Sequence, residues 1–236
     1  MTEKIPMKRI ATYILLLLCT LGAQAQNDTP VPSPWSVGLH GGWTSTTLSR
    51  YNASRIDEAY SALGGFEVGL QGAYAFNEWF SLRADLSFMQ RSHRMDRNLN
   101  YLDPVYTEHT NAYLMLPVLA DFSFGGQRLR GHLLAGAYAD YWLSDRRKGV
   151  TYWMTDYYVY FEPFDEERTF TDEDVRLNAG LAFGAALSYP LGDKLELGLD
   201  AIYYYDLVSH HRGNNQLSDP RYLNTLSINL NISYTL

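Results

Sequence analysis

A chain of 236 residues is enough for one domain, and its net charge of −7 has the wrong sign for a protein that binds nucleic acid, itself a polyanion. The one cysteine, Cys19, excludes a disulfide framework and a thiolate metal centre. Beyond residue 25 the lysines are Lys148 and Lys194 alone, which does not suit a water-facing surface, normally rich in lysine and glutamate.

The chain opens with Lys8 and Arg9, an apolar run from Ile10 to Leu21, and Ala23-Gln24-Ala25. A basic start, a short apolar stretch and a small-x-small site together predict a secretion signal over residues 1–25, cleaved before Gln26. The apolar run is too short for a spanning helix. Leu18 stands where a lipoprotein needs a small residue ahead of its acylated cysteine. Losing Lys4, Lys8, Arg9 and Glu3 takes the net charge from −7 to −9. Residues 26–35 then form a Pro-rich lead-in, and the folded domain is expected over 36–236.

From Trp35 onward apolar residues recur at every second position, the period of strands with one apolar face. The predicted strands are 36–45, 65–75, 80–90, 112–124, 127–141, 175–189, 195–207 and 223–236. The last is the clearest, with Leu226, Ile228, Leu230, Ile232, Tyr234 and Leu236 alternating with Ser227, Asn229, Asn231, Ser233 and Thr235. Short links at Asn77-Glu78, at Gly125-Gly126 and at Pro190 to Lys194 alternate strictly with long ones at 46–64, 91–111, 142–174 and 208–222. Gly-Gly suits a two-residue type I′ turn. The fold class expected is all-β: an eight-stranded antiparallel up-and-down transmembrane β-barrel with short periplasmic turns and four long extracellular loops.

Alternation by itself also allows a soluble barrel whose apolar face surrounds a ligand. The polar face decides between them. It carries Gly38, Gly42, Gly69, Gly136, Gly180, Gly184, Ala73, Ala182, Ser81, Ser87, Asn178 and Asn229, small residues that suit a narrow interior. Aromatic residues near strand ends (Trp35, Trp43, Tyr74, Trp79, Phe88, Phe122, Tyr141, Trp142, Tyr189 and Tyr234) fit the girdles of a bacterial outer-membrane barrel.

In so narrow a lumen the inward charges Glu67, Arg83, Asp85, Asp121, Arg130, Asp140, Arg176, Glu196, Asp200 and Asp206 must pair with one another. A two-residue turn puts Asp121 opposite Arg130, which predicts an Arg83–Asp121–Arg130 cluster near the periplasmic end. A structural plug is the expectation, and a selectivity ring in a pore is the alternative. His40 and His132 are expected to face inward, while His93, His109, His210 and His211 lie in or beside long loops. No nucleophile motif accompanies them, so no catalytic, cofactor-binding or metal residue is assigned. The acidic runs 165–167 and 172–174 read as solvated charge, without the spacing of an EF-hand. Within the loop 142–174, Tyr152, Trp153, Tyr157, Tyr158, Tyr160 and Phe161 form either a partner surface or a hairpin extending the barrel.

The chain resembles the PorT-like outer-membrane β-barrel proteins of Bacteroidetes over essentially its whole length past the signal. The resemblance rests on the segments Gly65-Phe66-Glu67-Val68-Gly69-Leu70, Phe80 to Phe88, Tyr113-Leu114-Met115-Leu116-Pro117-Val118-Leu119 and Leu177 to Gly184. It departs at the end, where Leu236 stands in place of the family's usual aromatic. The resemblance implies location and architecture, and one branch of the family is linked to protein secretion or gliding. The role expected is structural or binding, as an accessory of a secretion or cell-envelope complex. The alternatives are a narrow solute channel and a lipid-modifying enzyme. Expected partners are outer-membrane lipid, lipopolysaccharide and an envelope or secretion-complex protein, with no nucleic acid and no cofactor.

Overall fold

The structure, a computed structural model, describes residues 34–50, 58–97, 105–126, 128–155, 158–210 and 221–236. The signal segment and residues 26–33 of the lead-in lie outside the described residues. The strands are β1 (Trp35–Arg50), β2 (Glu58–Ala75), β3 (Phe80–Arg97), β4 (Val105–Gly125), β5 (Arg130–Met154), β6 (Val159–Glu167), β7 (Leu177–Pro190), β8 (Leu195–Asp206) and β9 (Arg221–Thr235). Eight of them close a ring of antiparallel neighbours, β1-β2-β3-β4-β5-β7-β8-β9, and the β1–β9 seam runs from Ser36↔Thr235 to Arg50↔Arg221. β6 pairs with β5 alone among the described residues. It is the one strand that sequence periodicity did not predict.

The period of two does what strand geometry requires. Along β8, Leu195, Leu197, Leu199, Ala201, Tyr203 and Tyr205 face out, while Gly198, Asp200, Ile202, Tyr204 and Asp206 are buried inside. The same holds around the ring, so Leu39, Leu70, Leu116, Leu133, Leu187 and Leu230 stand exposed on one continuous apolar belt. A belt of that extent is stable only against acyl chains. The closed ring also satisfies the strands' backbone groups, as lipid demands.

At the long-connection end the strands outrun the expected limits. β3 continues to Arg97, β4 begins at Val105 and β5 reaches Met154. Outward positions there are polar: Arg94, Glu108, Arg146 and Lys148. Above the apolar belt both faces meet water, so alternation fades while backbone pairing continues. The segment expected as a loop, 142–174, is mostly strand: β5 and β6 pair from Arg146↔Glu167 to Met154↔Val159. With the upper parts of β2, β3 and β4 they form a five-stranded sheet standing above the ring.

Two local features correct the sequence reading. Gly125 pairs with Arg130, so the turn spans four residues, 126–129, and Gly125 takes a positive φ of 117°. Links of two and four residues both keep β4 and β5 in phase, so alternation does not distinguish them. The β4–β5 register shifts at Ala112/Tyr113, where Ser144 and Trp142 are the successive partners and Leu143 is the extra residue of a bulge. Trp142 lies in phase with inward Tyr138 and Asp140 and is buried, not in the aromatic girdle, and the bulge after it turns Asp145 and Arg147 inward. Pro117 causes no bulge. The β3–β4 pairing lapses beside it and resumes in the same register, from Ala84↔Val118 to Ser87↔Met115, because the proline lacks only the N–H.

Candidate functional site

The lumen is filled by stacked polar clusters. Nearest the short-turn end of this stack, Arg83 binds Asp85 and Asp200, each at 2.9 Å, and Asp200 also accepts from Asn231 at 3.1 Å. Next, Glu67 accepts from Ser87 (2.8 Å), Ser227 (2.5 Å) and Asn229 (3.1 Å), with His40 Nε2 at 3.6 Å. Beyond it, fully buried Arg91 reaches Asp140 at 3.2 Å and Asp206 at 3.3 Å. Tyr138 and His210 add hydrogen bonds to Asp206, and Asn178 donates to Asp140. The rings of Tyr113 and Tyr138 lie 4.9 and 5.5 Å from the Arg91 guanidinium. Met89, Met115, Leu119, Leu134, Ile202 and Tyr204 fill the space around these charges.

Of the charges expected inside, Glu67, Arg83, Asp85, Asp140, Asp200 and Asp206 are buried. Asp121, Arg176 and Glu196 are half-buried, and Arg130 is exposed at the rim. The Arg83–Asp121–Arg130 cluster does not form. The longer turn sets Asp121 opposite Leu134 instead of Arg130, and Asp121 pairs with His132 at 2.9 Å. Arg176 donates to the Trp142 carbonyl and lies over the rings of Tyr141 and Phe170. Arg91 was missed because the third strand was expected to stop at Gln90. Its signal was present, since Arg83, Asp85, Ser87 and Met89 already run inward at odd positions.

At the opposite end the standing sheet bounds a cup of about 420 Å³, floored by Tyr113, Trp142 and His210 and edged by Arg97, Arg147 and Arg168. His93 and His109 stack in parallel, 4.7 Å apart, and Asp145 sits beside them, 3.2 Å from His109 and 3.3 Å from Arg147. Burial pushes the Asp145 carboxyl up, but His109 and Arg147 outweigh it and hold it below the usual carboxylate range. Burial, aided by His109, pushes His93 down to about 3. In each acidic run one carboxylate is tied to an arginine: Asp165 to Arg146 at 2.8 Å and Asp174 to Arg168 at 2.6 Å. Tyr157 and His211 lie outside the described residues.

The His93 shift has a testable sign. An unfolded histidine takes up its proton near pH 6.5, while folded His93 does so only near pH 3. The unfolded state therefore gains protons first, and the upper sheet loses stability as pH falls from above 6.5 towards 3. Hydrogen-exchange protection of residues 91–97 and 105–111 should drop between pH 7.5 and 4.5, and His93→Gln should largely remove that drop. Equal protection at both pH values in the unaltered protein would contradict this account.

The profile of the family described as outer membrane protein beta-barrel domain matches residues 24–211. The chain belongs to that family. It is an outer-membrane β-barrel protein of bacteria, with its short turns periplasmic and the standing sheet extracellular. This outer-membrane barrel is similar in fold to OprG from Pseudomonas aeruginosa, at 10% identity and a TM-score of 0.50, over 86% of this chain and 96% of that one. Neisserial surface protein A is 14% identical with a TM-score of 0.43, over 86% and 98% of the two chains. The outer membrane protein W of E. coli is 10% identical with a TM-score of 0.37, over 86% and 99%. At such identities the likeness concerns the fold alone. No curated protein matches the barrel's sequence.

Proposed function

We propose that this barrel is a sealed outer-membrane anchor of the PorT-like kind, which presents its extracellular sheet to another component of a secretion or cell-envelope complex. The observation that carries this reading is the filled lumen. An eight-stranded barrel has room for little beyond its own side chains, and here Arg91, Asp140, Asp206, Tyr113 and Tyr138 occupy the section below the extracellular cup. Traffic through the bore has no path, so the surface that meets a partner is outside it. The β5–β6 hairpin supplies one: Trp153, Met154, Tyr158 and Tyr160 are all more than half exposed, above the apolar belt. Exposed aromatic side chains of this kind are common anchors at protein interfaces.

The test has two arms. Reconstituted in a planar bilayer, the full barrel should show no stepwise conductance. In intact cells, cross-linking to a defined envelope protein should be lost when Trp153, Tyr158 and Tyr160 are replaced by serine, while heat-modifiable gel mobility stays unchanged. Steady single-channel conductance, or cross-linking indifferent to the three substitutions, would defeat the proposal.

A further inference from the structure

We propose that Ser188, His132 and Asp121 form an ester-hydrolysing site at the periplasmic end of the lumen. The three residues come from β7, β5 and β4, so no local motif announces them. Ser188 Oγ lies 2.9 Å from His132 Nε2, and His132 Nδ1 lies 2.9 Å from Asp121 Oδ1 and 3.2 Å from Oδ2. That is the order and spacing of nucleophile, general base and orienting carboxylate, a constellation recognised by geometry on unrelated folds. A tight polar relay tying three strands together is the competing explanation, and two further observations favour chemistry.

The first is access. All three residues line a cavity of about 860 Å³ at the short-turn end of the barrel, within the range of ligand pockets. The second is Arg130. It is Ser188's cross-strand partner on β5, also lines the cavity, and its side chain makes no hydrogen bond or ion pair among the described residues. Paired positions bring Cβ atoms to about 4.5–5.5 Å, so its guanidinium reaches an oxyanion forming at Ser188. The sequence reading had placed Arg130 in an ion cluster, and the longer turn released it.

The chemistry closes with water as co-reactant. Ser188 Oγ attacks the ester carbonyl carbon while His132 Nε2 takes the hydroxyl proton, and Arg130 faces the resulting oxyanion. The tetrahedral adduct collapses, the carbon–oxygen bond to the alcohol breaks, and His132 returns its proton to the departing alkoxide. Water, deprotonated by His132, then attacks the acyl-serine; the bond from the acyl carbon to Ser188 Oγ breaks, His132 returns the proton to Oγ, and a carboxylic acid leaves. Asp121 is a positioning residue that fixes the imidazole. Besides Asp121, the cavity's charges, Arg83, Arg130, Lys194, Glu78, Asp193 and Glu196, suit an O-acyl group on a polar carrier rather than a lipid chain.

The test uses the full mature chain refolded in detergent. Diisopropyl fluorophosphate, a small serine-directed probe, should modify Ser188 as mapped by mass spectrometry, and p-nitrophenyl acetate should be hydrolysed. Ser188→Ala should abolish both. His132→Gln should slow them by about 10²-fold or more. Asp121→Asn should lower kcat with KM unchanged, and Asp121→Glu should restore part of the loss. Arg130→Gln should slow ester turnover by about 10²-fold. An unmodified Ser188 in a barrel of normal heat-modifiable mobility, or hydrolysis that survives Ser188→Ala, overturns the proposal. This site stands apart from the extracellular ridge, so serine substitutions at Trp153, Tyr158 and Tyr160 should leave the labelling intact.

Discussion

Replacing Arg91 by methionine should destabilise the folded barrel by about 3–5 kcal/mol, the usual penalty for removing one partner from a buried ion pair. The guanidinium is fully buried and is the cation facing both Asp140 and Asp206. Without it two carboxylates remain in a dry section of the lumen, flanked by Tyr113, Tyr138 and Met115. The penalty comes from stranded charge, not from lost attraction, so it should be reversible by design. Arg91→Met combined with Asp140→Asn and Asp206→Asn should recover most of the stability, because the amide at 206 keeps one oxygen to accept from His210 and the Leu223 N–H and can turn its NH2 to donate to the Tyr138 hydroxyl. Denaturant unfolding of the barrel in lipid vesicles, followed by tryptophan fluorescence, measures all three proteins. A single variant as stable as the unaltered chain would show that Arg91 is not the cation holding these acids.

Two adjacent glycines on β1 should behave in opposite ways. Gly42 faces the lumen at the β1–β9 seam, opposite Asn229. A side chain added there would run into the backbone oxygen of Ile228 and the side chain of Asn229. Backbone of the neighbouring strand cannot step aside without parting the seam that closes the ring. Gly42→Val should cost at least about 3 kcal/mol, the upper end of overpacking, and should leave most of the chain unassembled. Gly41 faces outward, where an added carbon would meet nothing closer than the Glu67 carbonyl at 3.5 Å. Gly41→Val should assemble like the unaltered protein, since valine suits both a strand and lipid. Heat-modifiable mobility of membrane fractions separates the outcomes. Similar assembly of the two variants would mean that the seam is looser than its geometry.

Much of the barrel was legible beforehand because lipid imposes so simple a pattern. The scarcity of lysine, and the leucines of the last strand set against its serines and asparagines, required an apolar exterior with a small polar interior. The alternation of short and long links required an up-and-down ring with its long connections on one side. Each is a local or nearly local signal. The buried positions of Glu67, Arg83, Asp85, Asp140, Asp200 and Asp206 follow from strand phase in the same way.

What alternation cannot carry is register, since a shift by two residues leaves every side chain on its proper face. That is why the length of the turn after Gly125 decided the partners of Asp121 and Arg130, leaving Asp121 to His132 and freeing the arginine. The bulge at Leu143, which turned Asp145 inward, is likewise invisible to a count of alternate residues. Above the bilayer the pattern itself ends, because strands wetted on both faces need no apolar side, and so β6 and the reach of β3 to Arg97 emerged only in the fold. Sequence alone determined which face meets lipid. Tertiary structure decided which residues meet each other, because that depends on turn length and bulges summed over distant strands.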